Sequence, residues 1–382
     1  MKIVGTNHGG YANDRNIAGL PLQAYRVVRC RNAFKGPNFL HFKLRGKMHA
    51  YLPWLHWDAG FANYDLLHFF NGVSLGNKPW LSTFETYLPR WGSYGGKRIE
   101  WGLKQLAKPA CKRLIALSEC TRQIQSIFLE DYPEFAEVIQ AKVAVLQPSQ
   151  APLLDRAALE TKLLRAGASQ DHIQGLFIGA DFFRKGGLEM LRAYDVLLEL
   201  GAPLKLTIVS GMHFGDYASR STLADVEAAM RLIHKHPDHI HLHRSLPYPA
   251  VLDLCREADI GLLPTWADTY GYSALEFMAA GCPLLSTDIR ALPEINGPNR
   301  GWMIAMPKDR LSNGILETEA QRKHFSAHLF EGILGQLEGI VAAPDQIRIK
   351  GAAAYQHVLE RHSPTAAAAI TERWYDEALQ KR

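Results

Sequence analysis

The chain has no CxxC pair. Its five cysteines, Cys30, Cys111, Cys120, Cys255 and Cys282, are scattered, which excludes a ribbon of paired zinc thiolates, argues against a disulfide framework and suits a reducing compartment. No apolar run approaches the ~18 residues that cross a bilayer, and no charged opening leads into an apolar leader core. A cytoplasmic protein is expected, with any membrane contact peripheral, at the inner face of the cytoplasmic membrane. Repeats of roughly 20 to 50 residues and low-complexity tracts are also missing, which excludes solenoids and propellers. Acidic residues are scarce at one end. Residues 1–115 hold 17 Lys and Arg against 5 Asp and Glu, a local net of +12, so the remainder carries −7 of the whole-chain +5.

That asymmetry bears on partners. "RCRNAFKGPNFLHFKLRGK" and "KRIEWGLKQLAKPACKR" set Lys and Arg beside Trp, Leu and Phe. The mixture suits an anionic membrane surface; phosphate-rich nucleic acid and a merely solvated basic face are the other readings. Nucleic acid is not an expected partner, because no RNA- or DNA-binding motif accompanies the charge.

What is present is length and alternation. The 382 residues suffice for two cores. "MKIV", "DLLHFF" (65–70), "PWLSTFE" (79–85), "RLIALSE" (113–119) and "KVAVLQP" (142–148) read as buried parallel strands. The segment 149–172 reads as a linker with a short helix. Beyond it come strands "GLFIGA" (175–180), "LKLTIVSG" (204–211), "HIHLHRSL" (239–246), "DIGLLPT" (259–265) and "PLLSTD" (283–288), with helical stretches between them. The alternation predicts α/β architecture: two doubly wound Rossmann-like domains with parallel sheets facing a central cleft. The expected divisions are 1–165, 166–350 and 351–382, the last returning as helices to pack on the first domain.

In such sheets ligands lie beyond the carboxyl ends of the strands. "DIGLLPT" runs into "WADTYGYSALEFMAAGCP" (266–283). Ser273 is expected to open a helix closed by Gly281 and Pro283, with Glu276 in its first turn. The helix start suits a diphosphate. Glu276 can accept from vicinal hydroxyls of a ribose, and Asp268 from those of a second sugar. Gly271 and Tyr272 crowd the same loop. A plain capping box, Ser273-x-x-Glu276, is the competing reading. "GADFFRKGG" (179–187) sets Arg184 and Lys185 at another strand end, where two cations can offset the charge of a departing pyrophosphate. Gly9 and Gly10 leave backbone open to a ligand. Arg244, after "HIHLH", is a candidate for the base pocket. The histidines of that stretch are not read as metal ligands, since His239, His241 and His243 on one strand face span about 13 Å.

These motifs resemble family 4 of the retaining glycosyltransferases, the group 1 glycosyltransferases, which have the GT-B fold. The family pattern "E-x-F-G-x-x-x-x-E-A-M-A-x-G-x-P-V" stands here as "D-T-Y-G-Y-S-A-L-E-F-M-A-A-G-C-P-L". The likeness is specific over 175–297 and looser before it, where "RLIALSECTRQIQSIFL" matches a strand-Ser-helix segment containing Ser118. The resemblance implies that Glu276 binds the nucleotide ribose, that Asp268 touches the donor sugar, that Lys185 with Arg184 binds the diphosphate, and that Gly9 and Gly10 line the donor side. It implies transfer from a UDP- or GDP-sugar with retention, no cofactor and no required metal. The acceptor is expected to be a saccharide or lipid-linked species of cell-surface polysaccharide, lipopolysaccharide or glycolipid synthesis. Three departures stand out: Asp268 replaces the usual Glu, Ala180 stands where Arg is common, and Glu85 follows Thr83-Phe84 where His is frequent. Glu85 either assists the sugar or acceptor or is a polar loop residue. The rival activities are a nucleotide-sugar epimerase or phosphorylase of the same fold, and a non-catalytic binder of sugar nucleotide or nucleic acid.

Overall fold

A computed structural model describes residues 1–7, 10–58, 63–91, 96–167 and 172–380. Gly9 lies outside the described residues. The chain divides into two compact units, Met1–Ser149 with His362–Arg382, and Gln150–Arg361.

The first unit carries β1 (Lys2–Thr6), β2 (Tyr25–Arg29), α1 (Lys35–Arg45), β3 (Leu66–Phe70), β4 (Trp80–Phe84), α2 (Lys97–Ala107), β5 (Cys111–Ala116), α3 (Glu119–Leu129), α4 (Pro133–Gln140) and β6 (Val143–Val145). Its main sheet has six parallel strands, in the order β2-β1-β3-β4-β5-β6, beside a two-stranded parallel pair, Leu55–His56 with Val73–Ser74. β3 and β4 are buried along their whole length, which is why their sequences are apolar runs rather than alternations. α1 is the exception to apolar-inside patterning: none of its residues is buried.

The second unit opens with α5 (Arg156–Gly167). It continues β7 (Ile173–Ile178), α6 (Gly187–Glu199), β8 (Leu204–Val209), α7 (Leu223–Lys235), β9 (Ile240–His243), α8 (Tyr248–Glu257), β10 (Ile260–Leu263), α9 (Tyr272–Ala279), β11 (Leu284–Thr287) and β12 (Gly301–Ile304). It closes with α10 (Glu319–Ala342) and α11 (Asp345–Arg361). The sheet order is β9-β8-β7-β10-β11-β12, again parallel. From β7 the chain first winds one way to β9, then starts again at β10 and winds the other way. β7 and β10 therefore flank the topological switch point, where crevices form above doubly wound sheets.

The boundaries fall at Ser149 and Arg361 rather than at 165 and 350. The reason is packing: buried Lys162 of α5 donates to the carbonyls of Cys255 (3.0 Å) and Ala280 (2.8 Å), and α11 packs against α5. Only α12 (Pro364–Leu379) returns to the first unit. Its Trp374, Tyr375 and Ala378 join Val4, Leu66, Leu81 and Ile115 in one core. His68 of β3 locks that join, with Nδ1 2.7 Å from the Tyr375 hydroxyl and Nε2 2.8 Å from Thr83 Oγ1. Burial pushes its pKa down to about 3, so the ring is neutral, one nitrogen donating and the other accepting.

Candidate active site

Both loops that carry the motif residues leave the switch point. After β7, the chain turns through 181–186 into α6. Gly186 takes a left-handed conformation (φ 79°), and a Cβ there would lie 1.9 Å from the Pro264 carbonyl oxygen, so only glycine fits between the two loops. After β10, the loop ends at Gly271, also left-handed (φ 87°), which is the N-cap of α9 and gives it no side-chain cap. The Ala274 amide in the first turn of α9 is bonded to the Gly271 carbonyl at 2.9 Å, and the positive end of the helix dipole points at the loop.

The helix begins one residue earlier than expected. Ser273 is its second residue and not its opening, so Glu276 lies beyond the first turn. The capping-box reading fails for the same reason: the left-handed glycine has taken the cap position. Glu276 is buried, and its Oε1 accepts from the Tyr248 hydroxyl at 2.9 Å. Tyr248 opens α8, on the loop that leaves β9.

Lys185 and Asp268 meet as an ion pair, each side chain 13% exposed. A Cβ on Gly271 would lie 3.9 Å from Asp268 Oδ2, which sets the pair beside the start of α9. Burial alone would raise the Asp268 carboxyl. The Lys185 ammonium, the Arg184 charge and the Thr269 amide (2.9 Å) outweigh it, so the carboxyl sits below the ordinary range and stays ionised. Arg184 is aimed along the loops: its Nε donates to Asp181 Oδ2 at 2.7 Å and its Nη1 to the Ala267 carbonyl at 2.5 Å. Its own carbonyl accepts from the Trp266 amide (2.9 Å) and Thr265 Oγ1 (3.2 Å). Arg184 therefore joins the two loops, while Lys185 presents its charge to Asp268.

The structure thus brings Lys185, Arg184, Asp268 and Gly271 together at adjacent strand ends, with Tyr272 and Ser273 opening the helix above them. Arg244 is exposed after β9, two strands from β7 and so about 10 Å across the sheet, its guanidinium 3.9 Å from Met230 Sδ. Ser118 does not serve as expected. It is fully buried as the N-cap of α3, accepting from the Thr121 amide and donating to Thr121 Oγ1, both at 2.9 Å, which leaves no surface for a substrate. Gly10 is extended, and a Cβ there would meet nothing within 4 Å among the described residues, none of which demands glycine there. In the first unit, Glu85 follows β4, ion-paired with Arg90 and accepting from Asn71 Nδ2 at 3.3 Å. Sequence reasoning missed Asp181 and Tyr248. The i,i+3 spacing of "DFFR" signals the first, whereas nothing local links Tyr248 to Glu276, 28 residues on.

The switch point of the second sheet thus holds a mostly buried Lys185–Asp268 ion pair beside the start of a helix. Residues 165–327 match the family described as glycosyl transferases group 1. A D-inositol 3-phosphate glycosyltransferase of Thermobispora bispora is 26% identical over 221 residues, covering 57% of this chain and 46% of that relative. The chain spans less than half the length of the curated relatives it matches. Among solved structures, a glycosyltransferase of Rickettsia africae superposes with a TM-score of 0.60 at 14% identity, covering 100% of this chain and 91% of that one. HepE of Anabaena, solved in complex with UDP, gives 0.58 at 11%, covering 99% and 100%. At such identities the likeness concerns fold, and the fold is GT-B: two parallel six-stranded α/β units.

Proposed function

We propose that the chain is a retaining glycosyltransferase that takes a sugar from a nucleoside diphosphate donor and passes it to an acceptor hydroxyl. The Lys185–Asp268 pair beside the α9 N-terminus carries this reading. The reaction breaks the bond between the anomeric carbon and the diphosphate, so negative charge grows on the leaving oxygens. Lys185, beside the positive end of the α9 dipole, stands where it can stabilise that charge, and such preorganised groups are the largest contribution in many enzymes. Asp268, held ionised, can accept hydroxyl hydrogen bonds of the donor sugar. Glu276, with Tyr248 fixing its carboxylate, can do the same for the ribose. No step in this scheme calls on a metal. UDP in the related HepE fold favours a uridine donor over a guanosine one.

The acceptor is assigned to the first unit, as a saccharide or lipid-linked species of cell-surface glycan or glycolipid synthesis. The test is incubation with a panel of UDP-, GDP- and ADP-sugars, with and without a hydroxyl acceptor. Release of free nucleoside diphosphate with an α-linked product from an α-linked donor is expected. An isomerised sugar nucleotide formed without acceptor would make the chain an epimerase instead.

A further inference from the structure

We propose that α1 and the turn after it form a docking surface for an anionic lipid bilayer. The inference extends the function proposed above, since it supplies the surface on which a lipid-linked acceptor is met. Its evidence lies in exposure and charge. Phe39, Leu40, Phe42, Leu44 and Met48 are 59, 58, 47, 73 and 57% exposed. The inward side of α1 is set by Phe34 against the core, by Asn38 Oδ1 accepting from the His49 amide (3.2 Å) and by His41 against His49. At 100° per residue, Phe39, Leu40 and Lys43 lie opposite that side, with Lys35, Phe42 and Leu44 on its flanks. Lys43 Nζ lies 5.1 Å over the Phe39 ring. Gly46, left-handed at φ 68°, ends the helix and passes the chain to Lys47 and Met48. Trp57, 46% exposed, flanks the helix start through its carbonyl bond from the Ala33 amide (2.9 Å).

Charge selects the occupant. Residues 29–57 contain Arg29, Arg31, Lys35, Lys43, Arg45 and Lys47 and no Asp or Glu. Among the described residues none of Lys35, Lys43, Arg45 and Lys47 is in an ion pair. A second copy meeting this surface face to face would set these cations against their own kind, and the acidic remainder of another copy would leave the Phe and Leu side chains against charge. Nucleic acid would meet the charge but give the Phe and Leu side chains nothing apolar to enter. An anionic bilayer satisfies both: the apolar groups enter the acyl boundary while Lys and Arg reach back to the headgroups, with Trp57 at the interface.

The test is flotation of the full chain with vesicles of phosphatidylcholine alone and with about 30 mol% phosphatidylglycerol, in the absence of any sugar nucleotide. The parent is expected to float with the anionic vesicles only. Lys43→Gln/Arg45→Gln/Lys47→Gln should bind ~100-fold more weakly, about fivefold per cation. Leu40→Ser/Leu44→Ser, with charge unchanged, should lose tenfold or more, and both variants should melt as the parent does because neither side-chain set is buried. No binding by the parent, an unaffected Leu variant, or tighter binding of the same surface to RNA or to a second copy overturns the proposal. Donor binding is measured separately by thermal shift with UDP. A chain that floats but ignores UDP sinks the enzymatic reading and leaves this one standing.

Discussion

Asp268 is the counter-ion of Lys185, and the two must serve different partners when a sugar nucleotide arrives. A diphosphate draws the ammonium, whereas the donor hydroxyls draw the carboxylate. Removing the carboxylate alone therefore separates binding from turnover. Asp268→Asn leaves Lys185 with its full charge and no internal partner. It is expected to hold free UDP at least as tightly as the parent, while sugar transfer falls ~100-fold. Calorimetry with UDP alongside a transfer assay reads both. Equal losses in the two would mean that Asp268 only holds the loop in place. Charge and spacing made the placement of Lys185 and Asp268 at strand ends legible in the sequence, because a cation after a strand and an acid in the loop before a helix are local patterns. Ser118 misled for the opposite reason. A serine after a strand looks the same whether it faces a ligand or caps the next helix, and only its burial distinguishes the two.

At the scale of elements, the two glycine-gated helix starts decide whether the charged groups meet. Gly186→Ala puts a methyl group against the Pro264 carbonyl in a backbone conformation that costs alanine ~1–2 kcal/mol. A loss of at least about 2 kcal/mol is expected, lowering the melting temperature by roughly 5 °C, with UDP affinity falling alongside. A variant that melts and binds as the parent would show that the two loops are not locked together there. The start of α9 was misplaced by one residue in the sequence because serine is the commoner cap and left-handed glycine leaves no side-chain signature. β2 and α1 went unread for related reasons. The first is a charged edge strand, and the second turns its apolar residues outward, so neither shows the apolar pattern of a packed element.

The return of α12 to the first unit depends on a titratable group. His68 has a folded pKa of about 3, against roughly 6.5 in an unfolded chain. Below pH 6.5 the unfolded chain takes up a proton that the folded one refuses. The stability contributed by the neutral ring is therefore complete above pH 6.5 and declines as pH falls from there toward 3, by up to ~1.4 kcal/mol per pH unit. His56, buried and likewise shifted down, adds to the same slope. His68→Gln keeps hydrogen-bonding capacity without the titration. Its melting temperature is expected to depend less steeply on pH between 6.5 and 5 than that of the parent. Identical slopes would remove His68 from the account.

For the molecule as a whole, the strict strand-helix alternation announced two doubly wound units, and the structure has them. What the sequence left unread was the strand order, because neighbours in a sheet are set by crossovers and not by spacing. That order makes β7 and β10 adjacent and so gathers Lys185 and Asp268, 83 residues apart, at one point. The charge asymmetry belongs to this scale too: the basic first unit and the proposed diphosphate site in the second require no common ligand. The most direct test of the central claim is calorimetric titration of UDP into the parent chain and into Lys185→Ala. The account predicts one bound nucleotide per parent chain and at least ~100-fold weaker binding in the variant, about 2.7 kcal/mol. Equal affinity in the two would contradict it.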